Sequence, residues 1–517
     1  MKKRFFRMIA LLLTVALLLS GCAGSNVPSS SQAGEGDQSQ PPPPTSSQPE
    51  ESAEPEEAAA PQSTERVDLE APYNGDFIVA VNTSELVEDL QSVGRIPMSD
   101  GDFSAFENRK QTEGTLIEGY SGAGAGENTT PSVYAVGDTL ELITRDFYQS
   151  VVLGNPEIIN YPIEVEMIYE GEFCTVWGQI SDTGDFPCPA RLDVETAQRI
   201  AEEFDNGIYP FMTESFGNHF DSDQDGKLGI VCLNLVDYYD YGDYDSYYYN
   251  GYSDPGSGLE PVNGGDGTNF DMVAIDIWPT LYDMEGNTTE ENWNLAMVTL
   301  VHEFQHSINF ADYYHSPDQA EPMATWLNEG FSTIAENMYT GKPVADFVDF
   351  YVRDPDYKIT NGRSPMQYDG SFEDYALCYY FCLYLLEQTK EYEGGGKEIF
   401  KSILESDGYD YRAIENALEE IGYPVTNFSD FLFNFRVALV ANEDSGFFSF
   451  NKNEAVQNIP IHLYTIENRD TPENWEGRNI YLKTLAGGAA LNFTAPEDFV
   501  PVGNGPDVRF AGITLEE

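Results

Sequence analysis

One helical segment constrains this chain more than any other feature, because it carries the pentapeptide His302-Glu303-Phe304-Gln305-His306. Apolar residues recur around it at helical spacing: Trp293, Ala296, Met297, Leu300, Val301, Phe304 and Ile308. Residues four apart lie on the same side of a helix, so both imidazoles can reach a single metal ion. The pattern predicts a helix that is buried along one face and supplies two metal ligands.

The chemistry of such a helix follows from its residue types. Two neutral imidazoles suit Zn²⁺, and a catalytic zinc site has a third protein ligand and leaves one position to water. Glu303, between the histidines, is placed to accept a proton from that water as a general base. The alternative is a pair of histidines satisfied by ordinary hydrogen bonds beside a solvated glutamate.

The third ligand has two candidates. Glu329 begins a second helical segment within Trp326-Leu-Asn-Glu-Gly330, whereas Asp312 follows His306 by six residues. Asp312 would require the first helix to end at Asn309, and asparagine tolerates the left-handed conformation that ends helices. We favour Glu329 because a helix holds a ligand rigidly, but the residues alone leave both candidates open.

The segments H-E-F-Q-H-S-I-N-F and W-L-N-E-G-F-S-T-I-A-E resemble the gluzincin metallopeptidases, and most closely the hyicolysin-like group of secreted bacterial enzymes. The resemblance covers about residues 196 to 390. It implies that His302, His306 and Glu329 bind zinc and that Glu303 is the catalytic base. Gluzincins often stabilise the oxyanion with a later Tyr or His, for which Tyr375 and Tyr379 are the local candidates, although both also suit a packed core.

A second metal site is predicted upstream. Asp221, Asp223 and Asp225, followed by Gly226, match the first half of a calcium loop, but position 12 is Cys232 instead of glutamate. The missing ligand would have to come from elsewhere, for example the acidic cluster Asp237, Asp240 and Asp243. The segment is thus either a Ca²⁺ site or a plain acidic turn that leads into a strand.

Two neighbouring segments are candidates for substrate contacts. Residues 237–252 are dense in tyrosine and aspartate, which suits either a lid over the substrate or a solvated acidic loop. Residues 272–278 are predicted to form a strand, and we expect a substrate peptide to pair with its backbone if it lies at the sheet edge.

The cysteines do not form an obvious framework. Cys378 and Cys382 are four apart, which suits either a metal pair or small buried residues on one helix face, and we favour burial. Cys174 and Cys188 could also pair across a hairpin.

The N-terminal residues predict export. A basic start is followed by an apolar stretch too short to span a bilayer, and Leu19-Ser-Gly-Cys22 resembles a bacterial lipobox. We predict a signal peptide at 1–21, lipidation of Cys22 and a disordered Ser/Pro/Gln/Glu tether at 22–66. The folded part would then be held at the outer face of the membrane, extracellular or periplasmic, through the lipid anchor only.

The rest of the chain suggests an α+β fold. A net charge of −62 excludes a nucleic-acid binder, because phosphate groups would be repelled, and 41% hydrophobic residues suffice for buried cores. Period-2 segments indicate a β-rich N-terminal domain at 67–195 and a small β-rich module at 441–517. Between them, residues 196–440 are predicted to form a zincin-like catalytic domain: a small sheet, the His302 helix and a helical lower half.

These observations predict a membrane-tethered extracellular zinc endopeptidase that acts on protein or peptide substrates as a monomer. A non-catalytic adhesin or a glycan- or peptide-binding lipoprotein on a zincin scaffold is the alternative, although a scaffold would not need Glu303. A third hypothesis keeps the metal but takes cell-wall peptide as the substrate.

Overall fold

The structure is a computed structural model that describes most of the chain beyond residue 60. The described residues are 61–66, 72–97, 134–145, 160–219, 221, 224–237, 240, 250–254, 270–283, 286–315, 323–353, 359, 361–368, 370–406, 408–457, 459, 479–481 and 484–515. The predicted signal peptide, Cys22, the tether up to residue 60 and Asp223 lie outside them. No helix of the described ranges combines the length and the apolar character that a membrane crossing requires.

The described part is an α+β fold. Its strands are β1 (Pro61–Arg66), β2 (Phe77–Asn82), β3 (Gln91–Ser92), β4 (Arg95–Pro97), β5 (Thr139–Arg145), β6 (Asn160–Glu170), β7 (Cys174–Gln179), β8 (Leu228–Leu233), β9 (Gly251–Asp254), β10 (Met272–Asp276), β11 (Asn479–Tyr481), β12 (Thr484–Leu485), β13 (Ala490–Thr494) and β14 (Val508–Leu515). Its helices are α1 (Val194–Glu203), α2 (Tyr209–Ser215), α3 (Glu290–His315), α4 (Thr325–Thr340), α5 (Ala345–Arg353), α6 (Phe372–Thr389), α7 (Ile399–Glu405), α8 (Tyr411–Glu420) and α9 (Phe428–Ala441).

The helices begin and end where local chemistry favours it. The side chain of Asp193 accepts a hydrogen bond from the backbone of Thr196 at the start of α1, and a capping box between Ser371 and Asp374 starts α6. Gly341, with φ 65°, ends α4 in the left-handed conformation. A π-helical stretch, Phe204–Ile208, joins α1 to α2, so the three form one nearly continuous helical segment.

A six-stranded sheet supports the helices, with the order β5-β6-β7-β8-β10-β9. Strands β7, β8 and β10 are parallel, and β9 pairs antiparallel with β10 at the end of the sheet. All residues of β7, β8 and β10 are buried, because helices cover one face and a second apolar cluster with Trp177 and Phe270 covers the other. Among the described strands β10 is therefore internal and β9 lies at the end of the sheet, so the condition for substrate pairing with residues 272–278 is not met.

This sheet crosses the domain boundary that the sequence suggested at residue 195. Strands β5, β6 and β7 precede the boundary, and they continue through β8 into the strands that support helix α3. The sequence pattern identifies a strand by its period but does not identify its partner.

The two chain ends also share a sheet, with the order β1-β14-β2-β13. Strand β2 pairs with both β13 and β14, so the segments predicted as separate N- and C-terminal modules are joined through their backbones. This terminal sheet packs on helix α9 through Val437 and Val440. Residues 61–66, which composition assigned to the tether, form β1 against β14, because edge pairing uses backbone groups and needs no apolar side chains.

Candidate functional site

Helix α3 buries its predicted apolar face and carries the pentapeptide with it. Phe304 contacts Phe204 of the π-helical stretch, and Leu300 and Val301 belong to the same core cluster. His302, Glu303 and His306 are also buried, with at most 6% of any of them exposed. Ionisable groups are rarely buried without a partner, so this helix face must meet matching polar groups.

Helix α4 supplies those groups. Trp326, Leu327 and Phe331 anchor it in the core, and Glu329 is completely buried on the side that faces α3. Gly330 lies against helix α6, where an added Cβ would approach the sulfur of Cys382 to 2.7 Å. The glycine after Glu329 therefore permits the close packing of α4 on α6, and the buried Cys378 and Cys382 contribute to packing as we favoured.

His302, His306 and Glu329 form a compact group, which we call the metal group. One ligand atom from each lies within 4.8 Å of the others. Nε2 of His302 and Nε2 of His306 are 3.7 Å and 3.8 Å from Oε2 of Glu329. Neither oxygen of Glu329 has a hydrogen-bond partner. These separations are too long for hydrogen bonds. They match the spacing of neighbouring ligands around one metal ion.

A second layer of hydrogen bonds fixes the imidazole rings. Nδ1 of His302 donates to Oε1 of Glu336 at 2.7 Å, and Nδ1 of His306 donates to Oδ1 of Asn328 at 2.9 Å. Both bonds leave Nε2 to face Glu329, as a metal site requires. Sequence reasoning missed Glu336, although it stands seven residues after Glu329 and thus two turns further along the same face of α4.

The electrostatics of the metal group favour a cation. Burial alone would lower the pKa of His302, but the nearby carboxylates of Glu329 and Glu336 outweigh it and raise the pKa to about 10. Burial lowers the pKa of His306 to about 4. His302 thus keeps a proton near neutral pH, in the place where a metal cation would lie beside the carboxylates.

Glu303 lies next to the metal group. Burial, opposed by the charge of His302 and reinforced by that of Glu329, raises its pKa to about 8. Its Oε2 has no hydrogen-bond partner. Strand β9 approaches it closely, because a Cβ on Gly251 would lie 3.3 Å from Cγ of Glu303. A buried carboxylate with a free oxygen beside a metal group is suited to proton transfer.

The structure also distinguishes the other candidate residues, which are Asp312 for the third ligand and Tyr375 and Tyr379 for the oxyanion. Helix α3 continues through Asn309 to His315, so it does not end where the Asp312 alternative requires, and Asp312 is rotated by about 120° from His306 on a continuous helix. Tyr375 is fully buried, and burial followed by the charge of Glu329 raises its pKa well above the ordinary value. Tyr379 is buried and contacts the ring of Phe347.

The predicted calcium loop adopts a tight turn. Oδ2 of Asp221 accepts from the backbone of Gly226 at 3.0 Å, and Oδ1 of Asp225 accepts from the backbone of Lys227 at 2.7 Å. Gly226 has a φ of 78°, which glycine adopts easily. Oδ1 of Asp221 has no hydrogen-bond partner.

The loop precedes β8, whereas Asp237 and Asp240 follow it, so these two residues lie at the opposite end of the strand and do not complete the loop. Asp271 precedes β10, which is parallel to β8, and the backbone of Gly229 donates to its carbonyl at 3.0 Å. Its Oδ2 lies 3.6 Å from Nε2 of His219, which has no hydrogen-bond partner. Asp271 is thus the buried carboxylate at the loop end of the sheet.

Two further predictions are only partly covered by the described residues. Of the tyrosine-rich segment 237–252, the structure describes residues 237, 240 and 250–252, and Tyr252 is buried in β9. All five described cysteines are unpaired. Cys174 donates to Asp205 and Cys188 donates to the carbonyl of Ala190, so the disulfide considered between them is absent from the described part of the chain.

Comparison with known proteins identifies a relative among the metalloproteases. The chain is 31% identical over 286 residues to the neutral metalloprotease ShpI of Staphylococcus hyicus. The match covers 55% of this chain, which spans 60% of the length of that relative. No protein-family model matches the chain. The similarity is therefore to a metalloprotease, over about half of the sequence.

Proposed function

We propose that this chain is a zinc endopeptidase of the gluzincin type that hydrolyses peptide bonds in protein or peptide substrates. The observation that carries the proposal is the buried metal group His302, His306 and Glu329 on two packed helices, with Glu303 beside it. The similarity to a neutral metalloprotease supports the same activity.

The residues of the metal group fit zinc. Two imidazole nitrogens and one carboxylate are the donor set of many catalytic zinc sites, and both oxygens of Glu329 are buried without a hydrogen-bond partner. Zinc bound there would polarise the substrate carbonyl and lower the pKa of a water molecule. Glu336 and Asn328 hold the two rings so that each Nε2 faces Glu329, where these three residues would hold zinc.

Residues of the chain itself would transfer the proton, stabilise the oxyanion and bind the substrate. Glu303 accepts the proton of the attacking water and delivers it to the leaving amine. Tyr375, which keeps its proton because its pKa is raised, is our candidate donor to the oxyanion. Strand β9, at the sheet edge beside Glu303, is our candidate for backbone pairing with an extended substrate.

We further propose that the enzyme is an exported lipoprotein. Cys22 would carry the lipid, the following segment would tether the folded part at the outer face of the membrane, and the enzyme would act as a monomer outside the cytoplasm. We also propose that Asp221, Asp223 and Asp225 bind Ca²⁺ and that Asp271 supplies the carboxylate absent from position 12.

Hydrolysis of fluorogenic casein by the full chain tests the proposed activity, with Glu303→Gln as the comparison. We expect the native chain to cleave and the variant to be inactive while it retains an equal zinc content, because glutamine keeps the shape of the side chain but accepts no proton. An absence of cleavage of casein and of a peptide library by zinc-loaded native chain would favour the surface-binding alternative. Cleavage of peptidoglycan peptides alone would assign the cell-wall substrate.

A further inference from the structure

A second group of acidic side chains lies at the carboxyl ends of β8 and β10. We call Asn234, Asp237, Asp240 and Asp276 the strand-end cluster. Parallel neighbouring strands end at the same edge of a sheet, and Asp276 lies opposite Leu233 in the register. The cluster is therefore one strand length away from the loop at 221–227, and none of its members belongs to the metal group.

Asp276 is completely buried at this edge. Its Oδ1 accepts from the backbone of Leu235 at 3.1 Å and its Oδ2 from the backbone of Thr280 at 3.3 Å. It belongs to none of the ion pairs found among the described residues. Burial, followed by the charges of Asp237 and Asp240, raises the pKa of Asp276 well above its ordinary value. A fully buried carboxylate with two further carboxylates beside it is stabilised by a proton or by a cation.

An independent observation favours the cation. Asn234 is fully buried, its backbone donates to Oε1 of Gln179 at 2.7 Å, and its Nδ2 donates to Oδ1 of Asp240 at 2.8 Å. Its own Oδ1 is buried within the cluster without a hydrogen-bond partner. A proton shared among carboxylates would leave this amide oxygen unsatisfied, whereas a cation would accept it as a ligand.

We propose that the strand-end cluster binds a divalent cation, and that Ca²⁺ is the ion its chemistry suits best. Carboxylate and amide oxygens are the ligands that calcium prefers, and the cluster contains no imidazole. On binding, the carboxylates of Asp237, Asp240 and Asp276 and the Oδ1 of Asn234 would turn toward the ion.

This site would connect to the active site through strand β9. Asn250 precedes β9; its carbonyl accepts from the backbone of Asp276 at 2.7 Å, and its Oδ1 accepts from Thr280 at 2.8 Å. The next residue, Gly251, lies beside Glu303. A cation on Asp276 would therefore hold the start of the strand that we propose for substrate pairing.

Calcium binding to the zinc-saturated full chain tests the proposal, by equilibrium dialysis that counts bound ions. We compare the native chain with Asp276→Asn and, as the matched control at the other end of β8, Asp221→Asn. We expect Asp276→Asn to bind one calcium fewer than the native chain, and Asp221→Asn to retain that ion. Equal calcium numbers and affinities for the native chain and Asp276→Asn would overturn the proposal, whether or not the chain cleaves casein.

A second variant keeps the proposal testable if Asp276→Asn does not fold. Asp240 is only partly buried, so Asp240→Asn should fold even if Asp276→Asn does not. We expect calcium to raise the melting temperature of the native chain by more than that of Asp240→Asn. An equal calcium-induced shift in both proteins would contradict a cation at this edge and indicate carboxylates that share protons instead.

Discussion

The metal group and the strand-end cluster both remove acidic side chains from water, but their surroundings differ. In the metal group, Glu336 and Asn328 each fix one imidazole ring, and the ligand atoms already converge on one point. In the strand-end cluster, backbone donors and an asparagine hold the carboxylates, and one amide oxygen has no hydrogen-bond partner. In the metal group, side chains on two helices orient the ligands. In the strand-end cluster, the carboxylates lie where two strands end.

The difference concerns what each group would do with a bound ion. A site with fixed ligand orientation and a general base beside it is suited to chemistry, because its geometry survives the approach of substrate. A site built from loop carboxylates at a sheet edge is suited to holding chain segments together. Strand β9 lies between the two and begins at Asn250, so it is the element through which one group would affect the other.

The largest effect is expected from Glu329→Gln, which replaces the third ligand. The variant should lose zinc affinity by more than the roughly 100-fold that loss of an outer partner costs, and its proteolysis should fall with it. Zinc affinity is measured by competition with a chromogenic chelator, with the exposed Glu420→Gln on α8 as the control. Zinc binding equal to that of the control would show that Glu329 is not a ligand.

A smaller effect is expected from Glu336→Gln, which keeps the shape of the side chain but removes the charge that faces His302. Zinc affinity should fall about 10- to 100-fold, while kcat at saturating zinc changes less. Zinc titrations followed by activity separate the two quantities. A fall in kcat with unchanged zinc affinity would mean that Glu336 does not act through the metal group.

Gly251→Ala tests the position of strand β9. The new Cβ would approach the carbonyl of Ala274 to 2.6 Å and Cγ2 of Thr299 to 2.7 Å, so β9 must move away from α3. We expect kcat/KM for peptides to fall about 10- to 100-fold because the substrate edge is displaced, while zinc affinity stays near the native value. Native kcat/KM in the variant would exclude β9 from substrate binding.

The smallest effect concerns His219 at the loop end of the sheet. Burial lowers its pKa to about 4, so the folded chain keeps it neutral while the unfolded chain takes up a proton below about pH 6.5. Stability should therefore fall as the pH drops from about 6.5 to about 4, by up to roughly 3 kcal/mol. Urea unfolding of His219→Phe in chelator should show a smaller acid-induced loss than the native chain, and an equal loss would refute this assignment.

The sequence identified what local spacing determines. The helix face from Trp293 to Ile308, the pairing of His302 with His306 and the turn at Asp221 each depend on residues within a few positions of one another. The missed features are distant in sequence: Glu336 meets His302 only because α4 packs on α3, and Asp276 joins Asp237 only because β8 and β10 are parallel neighbours. Likewise, β2 and β14 pair across more than 400 residues, and no period in either strand indicates its partner.

Titration of metal-free chain with zinc, followed by peptide hydrolysis, tests the central claim most directly. The account predicts no hydrolysis without metal and activity that rises linearly to a plateau at one zinc per chain, because one buried metal group carries the reaction. Hydrolysis by metal-free protein, or zinc binding at the metal group without any hydrolytic activity toward casein or peptides, would contradict it.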